Sequence, residues 1–337
     1  MNPWKVLITA EPIKTVGEQA QKLLREAGCE IIFSPQFGPL KEKALISALD
    51  GMDAVIASHD AYNAAALLSS AAGKLKIIAR WGVGYDSIDV VAATRQGIVV
   101  TYTPGILDDA VADYTFALLL ARARRIHEVH AAVLRGDWVS RWGDDVGGKT
   151  LGIVGFGRIG KAVARRAAGF NMRILAHTTH PQVDGDGVEF VSLEKLLRES
   201  DFVTLHAALN STTRGMIGEE QFRQMKPTAY LINTGRGALV DEAALVRALH
   251  EHRIAGAALD VYVEEPQPPG SPLLSAPNIL FSPHQSSCGR GTGERVSLTA
   301  AQSVVDLMNG KKPQHVLNPD VFTAVQLRAT LTKQTNI

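Results

Sequence analysis

The stretch Lys149-Thr-Leu-Gly-Ile-Val-Gly-Phe-Gly-Arg-Ile-Gly-Lys161 decides the fold of this chain. An apolar run leads without a spacer into Gly155, Gly157 and Gly160, and a helical pattern follows. The first glycine permits a tight strand-to-helix turn, the second removes the Cβ that would block a pyrophosphate, and the third lets helix and strand pack closely. The phosphates then bind N–H groups at the helix start. The stretch predicts a dinucleotide-binding domain, with a mere tight turn as the alternative.

Composition and charge exclude several classes of protein. The 337 residues are 46% hydrophobic and 20% charged, which is enough for a large core and typical of two domains. The 35 basic residues nearly balance the 34 acidic ones, so we expect neither nucleic acid nor an anionic membrane as a partner. The apolar run Phe116 to Ala121 is too short to span a bilayer, and no signal-peptide pattern opens the chain. We expect a cytoplasmic protein.

The two cysteines, Cys29 and Cys288, lack the spacing of metal ligands. Reduced thiols in a reducing compartment are therefore expected, and no metal site is predicted.

Short β-branched runs alternate with amphipathic segments along both halves of the chain, which predicts parallel sheets covered on both faces. The strands predicted in the first half are Lys5 to Thr9, Glu30 to Phe33, Ala54 to Ala57, Leu75 to Ala79 and Ile98 to Thr101. Those predicted in the second half begin at Thr150 and continue with Arg173 to Ala176, Phe202 to His206, Tyr230 to Asn233, Ala255 to Leu259 and Ile279 to Ser282.

Two long helical segments mark the expected domain boundaries. Pro104-Gly105 is interpreted as a hinge, and one long helix is predicted from Asp109 to about Val133. A second helix, Gly293 to Asn309, is assigned to the first domain together with the tail that follows it. The predicted domains are a discontinuous substrate domain, residues 1–103 plus 288–337, and a dinucleotide-binding Rossmann domain, residues 104–287.

Three segments follow predicted strands at the edge where open α/β sheets bind ligands. They are Asn233-Thr-Gly-Arg-Gly237, Asp260-Val-Tyr-Val-Glu-Glu-Pro266 and Ser282-Pro-His-Gln285. With these residues, and with Arg80-Trp-Gly-Val-Gly-Tyr-Asp86, the chain resembles the D-isomer-specific 2-hydroxyacid dehydrogenases over nearly its whole length. The resemblance implies an α/β protein of two Rossmann-like or flavodoxin-like domains with parallel sheets and an active site in the cleft between them.

The resemblance implies three catalytic residues. Arg236 matches the arginine that binds substrate, since a guanidinium can hold both a carboxylate and the 2-oxo group. His284 matches the catalytic acid/base. Glu265, directly before Pro266, matches the carboxylate that orients the histidine, and Glu264 is the rival acid. Val83 and Gly84 resemble the loop whose N–H groups receive the substrate carboxylate.

The cofactor is expected to be NAD or NADP. At the end of the second nucleotide-domain strand, where NAD-selective relatives carry an acid, stands Thr178. A threonine neither repels a 2′-phosphate nor bonds the ribose as a carboxylate does, and only His177 and His180 are nearby as weak donors. Besides the three glycines and Thr178, the predicted cofactor contacts are Arg158, Ile159, Ala207, Thr212, Thr234, Gly235 and Asp260.

The predicted activity is hydride transfer between a nicotinamide cofactor and a D-2-hydroxy acid or 2-oxo acid of the hydroxypyruvate, glyoxylate or 3-phosphoglycerate type. Two alternatives stay open: a nucleotide-sensing corepressor-like binding protein, and a phosphite- or formate-type dehydrogenase. Gln285-Ser286-Ser287 replaces a more usual apolar-Gly or apolar-Ala sequence after the histidine, which is interpreted as an adjustment of substrate fit. A homodimer built on the long helix and the segment to Trp142 is expected.

Overall fold

The computed structural model describes residues 3–181, 187–323 and 327–331. The chain divides into two compact units. The first unit comprises Met1–Leu107 and Cys288–Ile337, and the second comprises Asp108–Ser287. The division after Leu107 falls four residues beyond the domain boundary that was placed after Thr103 from the sequence.

The described residues form twelve β-strands and thirteen α-helices. The strands are β1 Lys5–Ile8, β2 Glu30–Phe33, β3 Ala54–Ala57, β4 Ile77–Arg80, β5 Val99–Thr101, β6 Thr150–Val154, β7 Arg173–His177, β8 Val188–Phe190, β9 Phe202–Leu205, β10 Tyr230–Asn233, β11 Gly256–Leu259 and β12 Ile279–Phe281. The helices are α1 Pro12–Thr15, α2 Glu18–Glu26, α3 Glu42–Leu49, α4 Ala64–Leu68, α5 Val90–Arg95, α6 Asp108–Ala123, α7 Ile126–Leu134, α8 Arg158–Gly169, α9 Leu193–Glu199, α10 Glu219–Gln224, α11 Glu242–His250, α12 Pro272–Ser275 and α13 Arg290–Met308.

The first unit is built on a five-stranded parallel sheet with the strand order β2-β1-β3-β4-β5. This 2-1-3-4-5 order is that of the flavodoxin-like doubly wound folds. The central strands β3 and β4 are buried along their whole length, as expected for apolar runs in a parallel sheet covered on both faces. Helix α13 packs against α2 and β4, so the C-terminal part of the chain completes this unit.

The second unit is built on a seven-stranded parallel sheet with the order β12-β11-β10-β9-β6-β7-β8. Counted from β6, this is the Rossmann order 3-2-1-4-5-6 with one further strand. Consecutive strand residues such as Leu231 and Ile232 point to opposite faces and enter different core clusters, so both faces of the sheet are covered. The predicted α/β class with two parallel sheets is confirmed.

The glycine-rich turn lies where the strand order reverses, between β6 and β9. Gly155 has φ +93, and a Cβ there would lie 2.3 Å from the backbone nitrogen of Ala207. A Cβ on Gly160 would lie 2.3 Å from the carbonyl oxygen of Gly155. The first and third glycines therefore have the structural roles that the sequence predicted, a left-handed turn and close contact between helix and strand.

Two features of the second unit differ from the sequence prediction. The helix expected over Asp109 to Val133 is two helices, α6 and α7, because Arg125 has left-handed backbone with φ +54. Its guanidinium and that of Arg122 both bind the Glu128 carboxylate, at 2.6 and 2.9 Å, which stabilises the break. The edge strand β8 was missed because a glutamate stands between its two apolar residues and none of its three residues is buried, so no apolar run marks it.

Among the residues that the structure describes, no helix combines the length and the apolar character needed to cross a bilayer.

Helix α8 offers a matched pair of glycine substitutions. We predict that Gly160→Ala lowers the free energy of unfolding by about 1–3 kcal/mol, because the new methyl group must displace the Gly155 backbone. Gly169→Ala in the same helix meets no atom within 4 Å and should raise stability by about 0.5–1 kcal/mol. Urea denaturation of both variants measures the difference, and equal effects would contradict the close packing at Gly160.

Candidate active site

Polar segments follow three neighbouring strands of the second unit, β10, β11 and β12. Residue Asn233 of β10 is level with Leu259 of β11, which is level with Phe281 of β12. Because these strands are parallel, the segments that follow them emerge at one edge of the sheet. These segments carry Arg236, Glu265 and His284, the three residues predicted to be catalytic.

His284 and Glu265 form a close hydrogen-bonded pair. The Nδ1 atom of His284 lies 2.6 Å from Oε2 of Glu265, and each side chain is about one-quarter exposed, 23% and 22%. The other carboxylate oxygen accepts a hydrogen bond from the backbone N–H of Tyr262 at 3.0 Å. With a hydrogen on Nδ1 directed to the carboxylate, Nε2 is the ring atom that can exchange a proton. The structure thus pairs the predicted glutamate with the histidine.

The loop that carries Arg236 is held by its neighbours. The side-chain amide of Asn233 donates to the carbonyl of Arg236 at 2.9 Å and its oxygen accepts from the N–H of Gly235 at 3.0 Å. A Cβ on Gly237 would lie 1.9 Å from the carbonyl carbon of Tyr262. The glycine is therefore needed for the arginine loop to pack against the segment after β11.

Asp260 is completely buried, and its carboxylate accepts three hydrogen bonds. The donors are the Ser282 hydroxyl at 2.6 Å and the backbone N–H groups of Gln285 and Ser286, both at 2.9 Å. Its own carbonyl accepts the N–H of His284 at 2.7 Å. The cofactor contact predicted for Asp260 stays a prediction. In the structure Asp260 bonds Ser282 before the histidine and Gln285 and Ser286 after it.

No contact within the described part of the chain requires a glycine at the second position of the turn, Gly157. Gly157 has φ −80, which any residue adopts, and a Cβ there would meet no atom within 4 Å. The open space lies at the start of helix α8, where Arg158 and Ile159 contribute the first N–H groups. A pyrophosphate is the group that such a space and such donors accommodate, so these residues fit the cofactor.

The remaining predicted cofactor residues follow strands β7, β9 and β10. Thr178 comes directly after β7, and its hydroxyl accepts the N–H of His180 at 3.3 Å. The Thr212 N–H and hydroxyl both donate to Asn210 Oδ1. Thr234 is buried and its hydroxyl lies 2.9 Å from that of Thr115 on α6. Ala207 and Gly235 follow β9 and β10, so all five of the residues predicted at these strands lie at the carboxyl edge of the sheet.

His206, directly after β9, was named in the sequence analysis only as the last residue of a predicted strand. Its Nε2 lies 2.9 Å from the Thr204 hydroxyl, and its Nδ1 is shielded from solvent. Burial lowers the pKa of this histidine to about 3. The ring is neutral at neutral pH, so no positive charge from this residue stands beside the glycine-rich turn.

In the first unit, Val83 and Gly84 lie on the loop after β4, both partly buried. The buried side chain of Arg80 holds this loop: Nε donates to the carbonyl of Gly84 at 2.8 Å, and Nη2 lies 2.6 Å from Nε2 of His59. Gly82 has φ +130. The sequence analysis named Arg80 only within a motif, and the structure adds a local contact with Gly84 and a second contact with His59, 21 positions away.

Comparisons with known proteins agree with this geometry. Residues 116–286 match the family described as D-isomer specific 2-hydroxyacid dehydrogenase, NAD binding domain. A glyoxylate reductase of Korarchaeum cryptofilum is 47% identical over 293 residues, which cover 84% of this chain and 88% of the relative.

Solved structures agree as well. The TT0316 protein from Thermus thermophilus superposes with a TM-score of 0.84 at 41% identity, covering 93% of this chain and 99% of that one. The NADPH-dependent glyoxylate/hydroxypyruvate reductase of Sinorhizobium meliloti, solved with NADP and malonate, superposes with a TM-score of 0.82 at 29% identity, covering 95% and 98%.

This chain belongs to the D-isomer specific 2-hydroxyacid dehydrogenase family. It is an NAD(P)-dependent oxidoreductase that transfers hydride between a nicotinamide cofactor and a 2-hydroxy or 2-oxo acid, which confirms the predicted class of enzyme and the predicted cofactors. The corepressor-like and the phosphite- or formate-type alternatives are not favoured by these relatives.

Whether the pyrophosphate binds in the open space at Gly157 can be tested without measuring turnover. We predict that Gly157→Ala leaves the thermal unfolding midpoint close to that of the wild type, because the methyl group meets no protein atom. The same methyl group enters the space expected for the pyrophosphate and should weaken NADH or NADPH binding by about tenfold or more, about 1.4 kcal/mol. Fluorescence titration with each cofactor measures this. Unchanged affinity would show that the pyrophosphate lies elsewhere.

Proposed function

We propose that the enzyme reduces a small 2-oxo acid of the glyoxylate or hydroxypyruvate type to the D-2-hydroxy acid, with Arg236, Glu265 and His284 as its catalytic residues. The observation that carries this proposal is the 2.6 Å hydrogen bond between His284 and Glu265, formed at the sheet edge where Arg236 is also presented. The glyoxylate reductase relatives support the choice of substrate. A 3-phosphoglycerate-type substrate is the further candidate.

When bound, the nicotinamide supplies or accepts the hydride. His284 donates a proton from Nε2 to the carbonyl oxygen during reduction and takes the hydroxyl proton back during oxidation. Glu265 holds the imidazole through Nδ1 and stabilises its charged form by direct electrostatic attraction. The pair therefore works as a proton carrier in both directions of the reaction.

Arg236 binds and polarises the substrate in this proposal. Its planar guanidinium donates hydrogen bonds in a fork that matches a carboxylate oxygen and the neighbouring 2-oxo oxygen. Val83 and Gly84 contribute backbone N–H groups to the substrate carboxylate, on the loop that Arg80 shapes. An acid that carries both groups, a carboxylate and an adjacent carbonyl, is what this donor set recognises.

The substrate is tested by following NADH and NADPH oxidation with glyoxylate, hydroxypyruvate, pyruvate, phenylpyruvate and 3-phosphohydroxypyruvate. We expect the highest kcat/KM with glyoxylate or hydroxypyruvate. A preference for the phosphorylated acid would move the substrate to the 3-phosphoglycerate type, and no turnover of any 2-oxo acid would contradict the proposal.

The catalytic roles lead to a prediction for two alanine variants. His284→Ala and Arg236→Ala should each lower kcat/KM by about a hundredfold to ten-thousandfold, through lost proton transfer and lost carbonyl polarisation. Cofactor affinity should change little. His250→Ala and Arg223→Ala, both on the surface, are the matched controls. Near-normal turnover of His284→Ala would remove this residue from the acid/base role.

The cofactor preference rests on Thr178. Because the ribose-binding carboxylate is missing at this position, we predict that kcat/KM with NADPH lies within about tenfold of that with NADH. Thr178→Asp should shift the preference sharply toward NADH, since a carboxylate bonds the ribose hydroxyls and repels a 2′-phosphate.

Thr179→Asp is the control for this prediction, because it adds the same charge to the next residue, which is exposed. An equal shift of cofactor preference in both variants would mean that the added negative charge acts at a distance and not by a contact with the ribose. A wild type already hundreds-fold selective for NADH would show that another group binds the ribose.

We propose a homodimer that pairs through α7 and the segment after it. This part of the chain exposes large apolar side chains that a monomer would leave in water. They are Ile126, Val133, Leu134, Trp138, Val139 and Trp142, the two tryptophans each 91% exposed.

The dimer is tested by light scattering at micromolar concentration. The mass is expected to be twice the 36.2 kDa of one chain. Leu134→Lys should shift it toward the monomer, because a charge would be buried in the interface. A monomeric wild type would contradict the proposal.

We also propose a cytoplasmic location. Among the described residues Cys29 and Cys288 form no disulfide, which fits a reducing compartment. Fractionation of the source cells tests this.

A further inference from the structure

Helix α6 contacts the histidine segment through Tyr114. Its hydroxyl lies 2.7 Å from the hydroxyl of Ser282 and accepts a hydrogen bond from the side-chain amide of Gln285 at 2.9 Å. Ser282 and Gln285 stand on either side of His284 in the chain. The tyrosine therefore bonds the residues that bracket the proposed acid/base.

The direction of these bonds follows from the hydrogens available. The Ser282 hydroxyl has one hydrogen and donates it to the buried Asp260 carboxylate at 2.6 Å. It must then accept the hydrogen of Tyr114, whose oxygen accepts from Gln285 Nε2. The bonds run in one direction, from the amide through two hydroxyls to the carboxylate, and each one polarises the next.

These hydrogen bonds form a closed cycle, because Gln285, where the series begins, also donates its backbone N–H to the Asp260 carboxylate, where the series ends. The consecutive N–H groups of His284, Gln285 and Ser286 all bond to Asp260, the first through its carbonyl and the others through its carboxylate. His284 itself has left-handed backbone with φ +50, which residues other than glycine adopt only where their surroundings impose it.

We propose that the Tyr114 hydroxyl is a positioning residue for His284, acting through Ser282 and Gln285 to hold the histidine segment in its left-handed conformation. Tyr114 does not touch the reacting atoms in this scheme. It limits the movement of the segment, so that the ring of His284 keeps its place against Glu265. The kinetic part of this inference rests on the proposed acid/base role of His284.

The same contacts give Gln285 a purpose that the sequence did not suggest. The sequence interpreted this departure from the usual apolar residue as an adjustment of substrate fit. In the structure the amide donates to the Tyr114 hydroxyl, and the effect on substrate fit stays a prediction. Gln285 is exposed, so its bond competes with water and should contribute less than the bond between Tyr114 and Ser282.

The test is Tyr114→Phe, which removes one oxygen atom and keeps the ring. We expect kcat for 2-oxo acid reduction to fall about tenfold, since small misplacements of a catalytic group cost one to two orders of magnitude. Cofactor affinity and the thermal midpoint should stay close to the wild type. Ser282→Ala should show a similar loss and Ser282→Thr, which keeps a hydroxyl, should restore most of the activity.

A positioning role and a general structural role differ in a double variant. If Tyr114 acts through His284, Tyr114→Phe has no further effect on the residual activity of His284→Ala. An equal tenfold loss in both backgrounds would overturn the inference. Tyr230→Phe is the matched control, because its hydroxyl bonds Asp144 at 2.5 Å and the residue begins β10, at the opposite edge of the same sheet. An equal loss of kcat in this control would also overturn it.

A second measurement does not depend on turnover. Carbethoxylation by diethyl pyrocarbonate, quantified at His284 by peptide mass spectrometry, should become faster in Tyr114→Phe and stay unchanged in Tyr230→Phe. If the wild type reduces no 2-oxo acid, the proposed function fails and this labelling alone decides the inference. Unchanged labelling of His284 together with unchanged kcat would overturn the inference and leave the proposed function standing.

Discussion

The close approach of Gly155 to the backbone after β9 is the constraint on which the second unit depends. At this point the strand order reverses and the chain passes from β6 into helix α8. A Cβ added to Gly155 would lie 2.3 Å from the backbone nitrogen of Ala207. Only a residue without a side chain fits there. Because the turn is so tight, α8 begins directly above the carboxyl end of β6, and its first N–H groups remain available to a ligand.

In our proposal one edge of the sheet carries both the cofactor site and the catalytic residues. The glycine-rich turn lies at the centre of this edge, and the segments after β10, β11 and β12 present Arg236, Glu265 and His284 at the same edge. Buried polar groups hold the segments at this edge in place. Burial of the Asp260 carboxylate is unfavourable unless its oxygens accept hydrogen bonds. Here the bonds that satisfy it also fasten the segment of His284.

The sequence predicted most of the fold because its signals are local. The strands Glu30–Phe33, Ala54–Ala57 and Tyr230–Asn233 have the predicted bounds, since each is a short apolar run between polar turns. The roles of Gly155 and Gly160 could also be read, because a strand, a turn and a helix in succession leave few conformations. The break between α6 and α7 could not, since the left-handed residue there is Arg125 and neither a glycine nor a proline marks the position.

The sequence predicted which residues form the candidate active site, but not the hydrogen bonds that connect them to one another and to Tyr114. Resemblance to a family pointed to His284 and Glu265, and the structure brings them together. Tyr114 escaped notice because it is 168 positions from Ser282 and has no local pattern that marks it. Its partner Gln285 was identified in the sequence as a departure from the usual residue, and the structure adds its hydrogen bond to Tyr114.

The most direct test is a crystal structure of the enzyme with NADPH and oxalate, a non-reducible analogue of glyoxylate. The pyrophosphate is expected beside Gly157 at the start of helix α8. The oxalate is expected to bond the guanidinium of Arg236 and the Nε2 atom of His284, with the bond between His284 and Glu265 intact. A nucleotide bound away from Gly157, or an oxalate that touches neither Arg236 nor His284, would contradict this assignment of the active site.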